Sequence, residues 1–523
     1  MRRSDRLACQ RRALEPDHRR RNSGGRRQPG GTPPLKQPFG AIAVDLGATS
    51  GRFAAGWLEA GRIVSEVVEQ IPHSGIDRNG LAVWDLDALL GLCHRAVQYG
   101  QAHFTETYVG IDSWGVDQGF LNAQGRLIQP PVCYRDPSHQ AQFERYREHR
   151  PRIFQLTGIA HQPFNTIYQL AARRHENPGI VSNRWLNIPD LLGHLLGGPM
   201  HMELTMASTT QLMGLDGNWC DELFRLVGWP TPDVLPCRPG FLAGSIGPSV
   251  HLTNIGSHDT ASAIFGFGAI PDNTMYLNMG TWSLAGVLLD QPIASPAAEA
   301  AGFTNERAVD GRIRFLKNIP GFYVLNRLHD ELGVSVPIPQ WIEGAADVEE
   351  RVDLMSPDLY NPPSMPEAVM KLCGWEQASA EEWAGLAVHS LTDTIAAQIP
   401  PLREITGRRL DTIRVGGGGS RSSVLCRSLA KATGCSVVAG PVEATVVGNL
   451  AMSLQARAMR TVGSSAYSDD LALALIQAGR MLPNESAPSH GAPVRERRQI
   501  EAAVLEAVGA SGDLKRYEPE VVA

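Results

Sequence analysis

Four stretches of the 523-residue chain hold the residue types from which a reaction could be built. The first is Asp45-Leu46-Gly47-Ala48-Thr49-Ser50-Gly51-Arg52. Gly47 and Gly51 let the backbone pass close to a ligand. Successive N–H groups in such a turn form an anion nest, and Thr49, Ser50 and Arg52 add donors. Asp45, at the end of an apolar run, can hold a divalent cation through water, since Mg²⁺ retains several of its waters. A plain β-hairpin fits the same residues. The second stretch, Gly110-Ile111-Asp112-Ser113-Trp114-Gly115-Val116-Asp117, sets two carboxylates around a Trp and a Gly. It reads either as a polar pocket whose Trp114 stacks on a sugar face, or as a buried Trp in a turn capped by acids.

The third stretch is His258-Asp259-Thr260, at the mouth of a helix. Asp259 there is a helix cap, or a general base aimed across a cleft at a hydroxyl within hydrogen-bond reach. The fourth is Gly416-Gly417-Gly418-Gly419, followed by a helix. Four residues without side chains admit a flat adenosine against the backbone; a tight strand-to-helix turn is the alternative. A dinucleotide GxGxxG fails there, because Arg421 and Ser422 stand where the pattern needs Gly. A GxxxxGK[ST] phosphate loop is absent, because none of Lys36, Lys317, Lys371, Lys431 and Lys515 follows a Gly. Any ATP must be held another way.

The elements that position these stretches follow from apolar periodicity. Ala41 to Leu46 is a buried strand, and Phe53–Leu58 and Ile63–Val68 follow it as two antiparallel strands. Asp85 caps a helix, and Thr107–Ile111 is a strand ending at Asp112. Helices are expected at Leu191–Leu196, Leu223–Val227 and after His258. Thr274 to Ser283 repeats the opening pattern of an apolar run ending in Gly and hydroxyls, which places a boundary near residue 268. Ser379-Ala380-Glu381-Glu382 matches a capping box, and Pro400-Pro401 should end or kink the helix it opens. Asp411–Val415 and Cys435–Val438 are strands on either side of a helix from about Ser422, and a last helix starts near Glu501. Strands alternating with helices indicate an α/β protein.

Composition is that of a globular chain, with 43% hydrophobic and 20% charged residues. The net charge of −6 gives no reason to expect a nucleic-acid partner. No stretch reaches the roughly 18 apolar residues of a membrane helix. Residues 1–38 carry eleven basic and three acidic side chains, with Gly and Pro and no apolar pattern. They are expected to form a disordered basic arm, most simply from an upstream start codon. The scattered Cys residues form no CxxC pair, which fits reduced thiols in a cytoplasmic protein and no zinc site.

The order of the motifs DLGATSGR, GIDSWGVD, SHDTASA, MGTWSL, RFLKNI and GGGGS resembles the FGGY family of carbohydrate kinases, over about residues 40–490. Within it the chain resembles the branch acting on the 1-hydroxyl of L-rhamnulose; L-fuculose and xylulose kinases are the nearest alternatives. A non-catalytic sugar-kinase-like protein or an actin-like ATP-binding protein is a more remote one. The resemblance implies a duplicated actin/hexokinase-like (ribonuclease H-like) fold flanking a cleft, with 39–268 and 269–490 as its halves and 491–523 as a C-terminal tail or helix. It implies ATP with Mg²⁺ and a small ketose as partners, no membrane or nucleic acid, and a monomer or homodimer. It implies Asp259 as the base, with Gly115, His258 and Thr260 at the sugar. It implies Ala48, Thr49, Ser50, Gly51 and Arg52 at the ATP phosphates, and Thr281, Asn318, Asn326 and Gly418 at the nucleotide. Asn326 stands where the family pattern has Gln, one methylene longer.

Overall fold

A computed structural model describes residues 36–280, 282–463, 494–510 and 514–519, apart from the side chains of 461–463, 494–499 and 501. The expected basic arm (but for its last residues) and Thr281 lie outside the described residues.

The first sheet starts with β1 (Gln37–Leu46), which is buried on both faces from Phe39 onward, as its continuous apolar run requires. The chain turns back as β2 (Ser50–Glu59) and again as β3 (Arg62–Pro72), both antiparallel. The second turn is made by Ala60 and Gly61, both at positive φ. Helix α1 (Leu86–His103), with Asp85 accepting from the Ala88 N–H, leads into β4 (Phe104–Ser113), parallel to β1. A largely helical insertion follows. Then β5 (Phe241–Ser245) and β6 (Val250–Asn254) complete the order β3-β2-β1-β4-β6-β5. Helix α2 (Asp259–Gly266) leaves the end of β6.

The second sheet repeats this plan. β7 (Thr274–Met279) forms an antiparallel pair with β8 (Ser283–Leu289). β9 (Thr304–Arg307) and β10 (Ile313–Ile319) add to the β8 side. Helices α3 (Ala380–Ala396) and α4 (Ile399–Thr406) cross over to β11 (Thr412–Gly416), parallel to β7. The capping box at Ser379 and Glu382 is formed in both directions, and Pro400-Pro401 sits in the first turn of α4, after α3 has ended. Helix α5 (Ser423–Thr433) leads to β12 (Ser436–Ala439). Set side by side, β3-β2-β1-β4-β6 and β10-β8-β7-β11-β12 share order and polarity. This is the duplicated α/β fold.

Two elements depart from expectation. The last helix, α7, begins at Val494 rather than near Glu501 and runs to Ala510. Its first turns are mostly charged, so no apolar period announces them. β13 (Lys515–Tyr517) pairs antiparallel with β12 at the sheet edge; three residues with one aromatic carry no strand signature.

Helix α6 (Ala444–Gly463) ties the halves together. It lies on the first sheet, where Val446, Leu450 and Leu454 join Ala41, Ala43 and Tyr108 in one buried cluster with Val504 of α7. It crosses α2 at backbone contact. A Cβ on Gly448 would sit 1.8 Å from the Ser262 carbonyl oxygen, and one on Gly266 would sit 2.0 Å from that of Ala444. Only Gly permits such an approach. No helix among the described residues is long and apolar enough to cross a membrane, and all seven described Cys are free.

Candidate active site

A cavity of about 620 Å³ opens between the two sheets. From the first half it is lined by Asp45, Ala48, Ser50 and Arg52 of the β1–β2 hairpin, by Gly115 and Val116 beyond β4, and by His258, Asp259 and Thr260 at the start of α2. The second half contributes Asn318 of β10 and Gly418 of the glycine turn. Thr49, Gly51 and Asn326 are not among the lining residues.

The hairpin turn closes through the Gly47 N–H, which donates to the Ser50 carbonyl at 2.9 Å. Arg52 donates to Asp45 Oδ2 through Nε (3.0 Å) and Nη2 (2.8 Å), and its Nη1 lies 2.5 Å from Glu443 Oε2. Burial alone would lower the Arg52 pKa, but the Asp45 and Glu443 carboxylates outweigh it and raise it. Glu443 also accepts from Arg421 at 2.8 Å. A chain of charge thus links the first hairpin to the loop after the glycine run.

Asp259 is the first residue of α2 and faces the cleft with its side chain 28% exposed. Its Oδ1 accepts from Thr260 Oγ1 at 3.0 Å and lies 3.5 Å from His258 Nε2. Burial pushes the Asp259 pKa up, His258 works against that, and Asp45 adds to it. A carboxylate raised in this way is a better proton acceptor. Asp112 is fully buried behind this group. Its Oδ2 accepts from Asn449 Nδ2 at 2.6 Å, and its Oδ1 has no hydrogen-bond partner. Burial and the Asp45 carboxylate push its pKa well above the usual range.

Of the two readings of the second stretch, the packing favours the buried Trp in a turn held by acids. Neither acid lines the cleft. Asp117 is a buried hub. Its Oδ2 accepts from Trp84 Nε1 (2.6 Å), Trp114 Nε1 (2.9 Å) and the Tyr134 N–H (3.1 Å), and its Oδ1 accepts from Gln169 Nε2 (2.8 Å). Burial still lifts its pKa to about 6 against those four donors. The Trp114 ring borders the cavity but is packed against Trp84 at 4.1 Å and His73 at 5.4 Å. The hub instead holds Val116, whose φ of 72° is a left-handed conformation unfavourable for a β-branched residue. The Val116 carbonyl accepts from Thr166 Oγ1 (2.6 Å) and Gln169 Nε2 (3.3 Å), which fixes the strained turn at the cleft wall.

The glycine run separates into packing and opening. A Cβ on Gly416 would meet the Phe267 ring at 2.1 Å, and one on Gly419 would meet Met279 Cβ at 2.8 Å. Gly417 has φ of 76°, and a Cβ on it would sit 2.6 Å from the Met279 carbonyl oxygen. Gly417 and Gly418 both border the cavity, and only Gly418 of the four has nothing within 4 Å of that position.

Three buried charged residues escaped the sequence reading. Glu203 accepts from Thr205 Oγ1 (2.5 Å), the N–H groups of Thr205 and Met206, and both the N–H (3.1 Å) and the Oγ (2.9 Å) of Ser257. It anchors the turn that presents His258 and Asp259. Glu306 and Arg314 are directly opposed on β9 and β10, with Arg314 Nη2 2.9 Å from Glu306 Oε2. Arg314 opens RFLKNI, a segment whose order carried the family resemblance while Arg314 itself stayed without a role.

The family model described as "FGGY family of carbohydrate kinases, N-terminal domain" matches residues 41–238, and its C-terminal counterpart matches 275–459. The chain belongs to the FGGY family of carbohydrate kinases. Among curated FGGY relatives, a rhamnulokinase of Bacteroides thetaiotaomicron is 35% identical over 80% of this chain and 90% of that protein. One of Bacillus subtilis is 32% identical over 79% and 89%. Of solved structures, a ligand-bound xylulose kinase from Lactobacillus acidophilus superposes with a TM-score of 0.69 at 16% identity, covering 92% of this chain and 94% of that one. A Plasmodium falciparum glycerol kinase with ADP gives 0.64 at 13% identity, covering 91% and 99%. At those identities the FGGY fold is shared. The chain is therefore a carbohydrate kinase, a phosphotransferase acting on a sugar hydroxyl.

Proposed function

We propose that the protein transfers the γ-phosphoryl group of ATP to the 1-hydroxyl of L-rhamnulose, giving L-rhamnulose 1-phosphate and ADP. The observation that carries this reading is the likeness to rhamnulokinases over about four-fifths of the chain, joined to a cleft that gathers Asp259, His258, Thr260 and Gly115 on one wall. Asp259 accepts the proton of the C1 hydroxyl as that oxygen attacks the γ-phosphorus. The bond to the β–γ bridging oxygen breaks, and ADP leaves. Base assistance of this kind contributes about 10²–10⁴-fold; alignment and charge neutralisation supply most of the remainder.

Ala48, Ser50 and Arg52 are the hairpin residues that face the β- and γ-phosphates, and Gly418 and Asn318 are those that face the nucleoside. Mg²⁺ bound with ATP would neutralise phosphate charge. Asp45 suits it through water, because its carboxylate borders the cavity while Arg52 holds one of its oxygens. The seven described Cys, all free, fit a reducing, cytoplasmic setting.

A coupled ADP-release assay over a ketose panel tests the reading. The specificity constant for L-rhamnulose should exceed those for L-fuculose and D-xylulose by at least about tenfold, roughly 1.4 kcal/mol. A rival that equals it overturns the substrate assignment while leaving the kinase standing.

A further inference from the structure

We propose that Arg314 and Glu306, from the second half, are positioning residues that fix His258 of the first half as an Nε2–H donor facing the sugar. The inference rests on the reading of His258 and Asp259 as sugar-side residues. Arg314 Nη2 donates to His258 Nδ1 at 2.9 Å. A guanidinium has donors and no acceptor, so Nδ1 must be the unprotonated nitrogen and the ring proton sits on Nε2. Glu306 Oε2 is 3.3 Å from the same Nδ1 but makes no hydrogen bond of acceptable geometry with it. Glu306 instead neutralises Arg314, which is fully buried and has it as an ion-pair partner. The two oppose each other across β9 and β10, so the pair is set by sheet register before it reaches His258.

Nε2 then looks into the working space. It lies 3.5 Å from Asp259 Oδ1 and 3.4 Å from where a Cβ on Gly115 would stand, and all three residues border the cavity. As a donor it can hold a ketose oxygen beside the reacting hydroxyl while Asp259 alone accepts the proton. In the opposite tautomer Nε2 would be a second acceptor competing for that proton, and the neighbouring sugar oxygen would have no donor. The two halves of the protein thus have separate parts in the chemistry. The first supplies base and imidazole, and the second sets which nitrogen carries the hydrogen.

The test uses full-length protein with ¹⁵N-labelled histidine, with His258 assigned by comparison with His258→Gln. At neutral pH, Nδ1 of wild-type His258 should show an unprotonated, pyridine-type shift and Nε2 a protonated, pyrrole-type one; the reverse pattern overturns the proposal. In the double variant Arg314→Met/Glu306→Gln, which leaves no unpaired buried charge, the tautomers should mix. The kcat/KM for ketose should then fall at least about tenfold while KM for ATP stays within about twofold. Arg314→Lys, which keeps a donor, should recover the Nε2–H pattern and part of the activity. Retention of a pure Nε2–H tautomer and of full kcat/KM by the double variant overturns the proposal. If the double variant does not fold, the wild-type spectrum still decides. Failure of wild type to phosphorylate any ketose would sink the proposed function and leave the tautomer result to be judged separately.

Discussion

Glu443, in the loop before α6, reaches across the cleft to within 2.5 Å of Arg52 on β2. The same carboxylate holds Arg421 beyond the glycine turn. Glu443 therefore occupies a guanidinium assigned to the ATP phosphates and adds a negative charge beside them. Glu443→Gln should bind ATP more tightly, by a severalfold factor at most, because partly exposed pairs of this kind are worth only about 0.2–1 kcal/mol. Calorimetric titration with ATP checks this. Weaker binding would mean that Glu443 holds Arg52 in its phosphate-facing position.

Asp259→Asn should fold, keep its affinity for ATP and lose most turnover, since an amide cannot accept the hydroxyl proton. A fall in kcat of at least about 10²-fold is expected. A variant that retains a tenth of the wild-type rate would remove Asp259 from the role of base.

Gly448→Ala should destabilise the whole molecule although it adds one methyl group. The new Cβ would press on the Ser262 backbone at 1.8 Å, and backbone cannot rotate away as a side chain can. Overpacking of this type typically costs about 1–3 kcal/mol. A melting temperature equal to that of wild type would show that the crossing of α2 and α6 can widen freely.

Asp190, buried with His201 3.4 Å away, provides a pH-dependent term. Burial raises its pKa from 3.8 to about 7. The folded state thus keeps a proton that the unfolded state has lost, so this contribution is complete below about pH 4 and disappears as pH rises through 7. Asp190→Asn retains an acceptor for the Glu203 N–H and cannot ionise. Its melting temperature should gain on that of wild type between pH 5 and pH 8. A constant difference over that interval would place the ionisation elsewhere.

The two hairpins, the helix caps and the parallel strands were legible because each is written locally: apolar runs, Gly at turns, Ser or Asp before a helix. The places of Asp259 at a helix start and of the glycine run after a strand were legible for the same reason. Asp117 stayed open between two readings because an acid at a strand end looks the same whether it meets water or two indole N–H groups; the three-dimensional neighbours Trp84 and Gln169 decide it. Glu203, Glu306 and Arg314 were not legible as site residues, because each acts on Ser257 or His258 from 48 to 56 residues away. The strain at Val116 carries no signature at all, since a β-branched residue is the last choice for a left-handed turn.

β13 has a consequence beyond the site. Its three residues occupy the outer hydrogen-bonding side of β12, whose Val437 and Ala439 belong to the core of the second sheet. A protein truncated before Lys515 would present β12 as an open edge with unpaired amide and carbonyl groups, a template on which another chain can add a strand. Self-association, more than lost activity, is the first defect such a truncation should show. An affinity tag joined directly to this segment would strain the strand that prevents it.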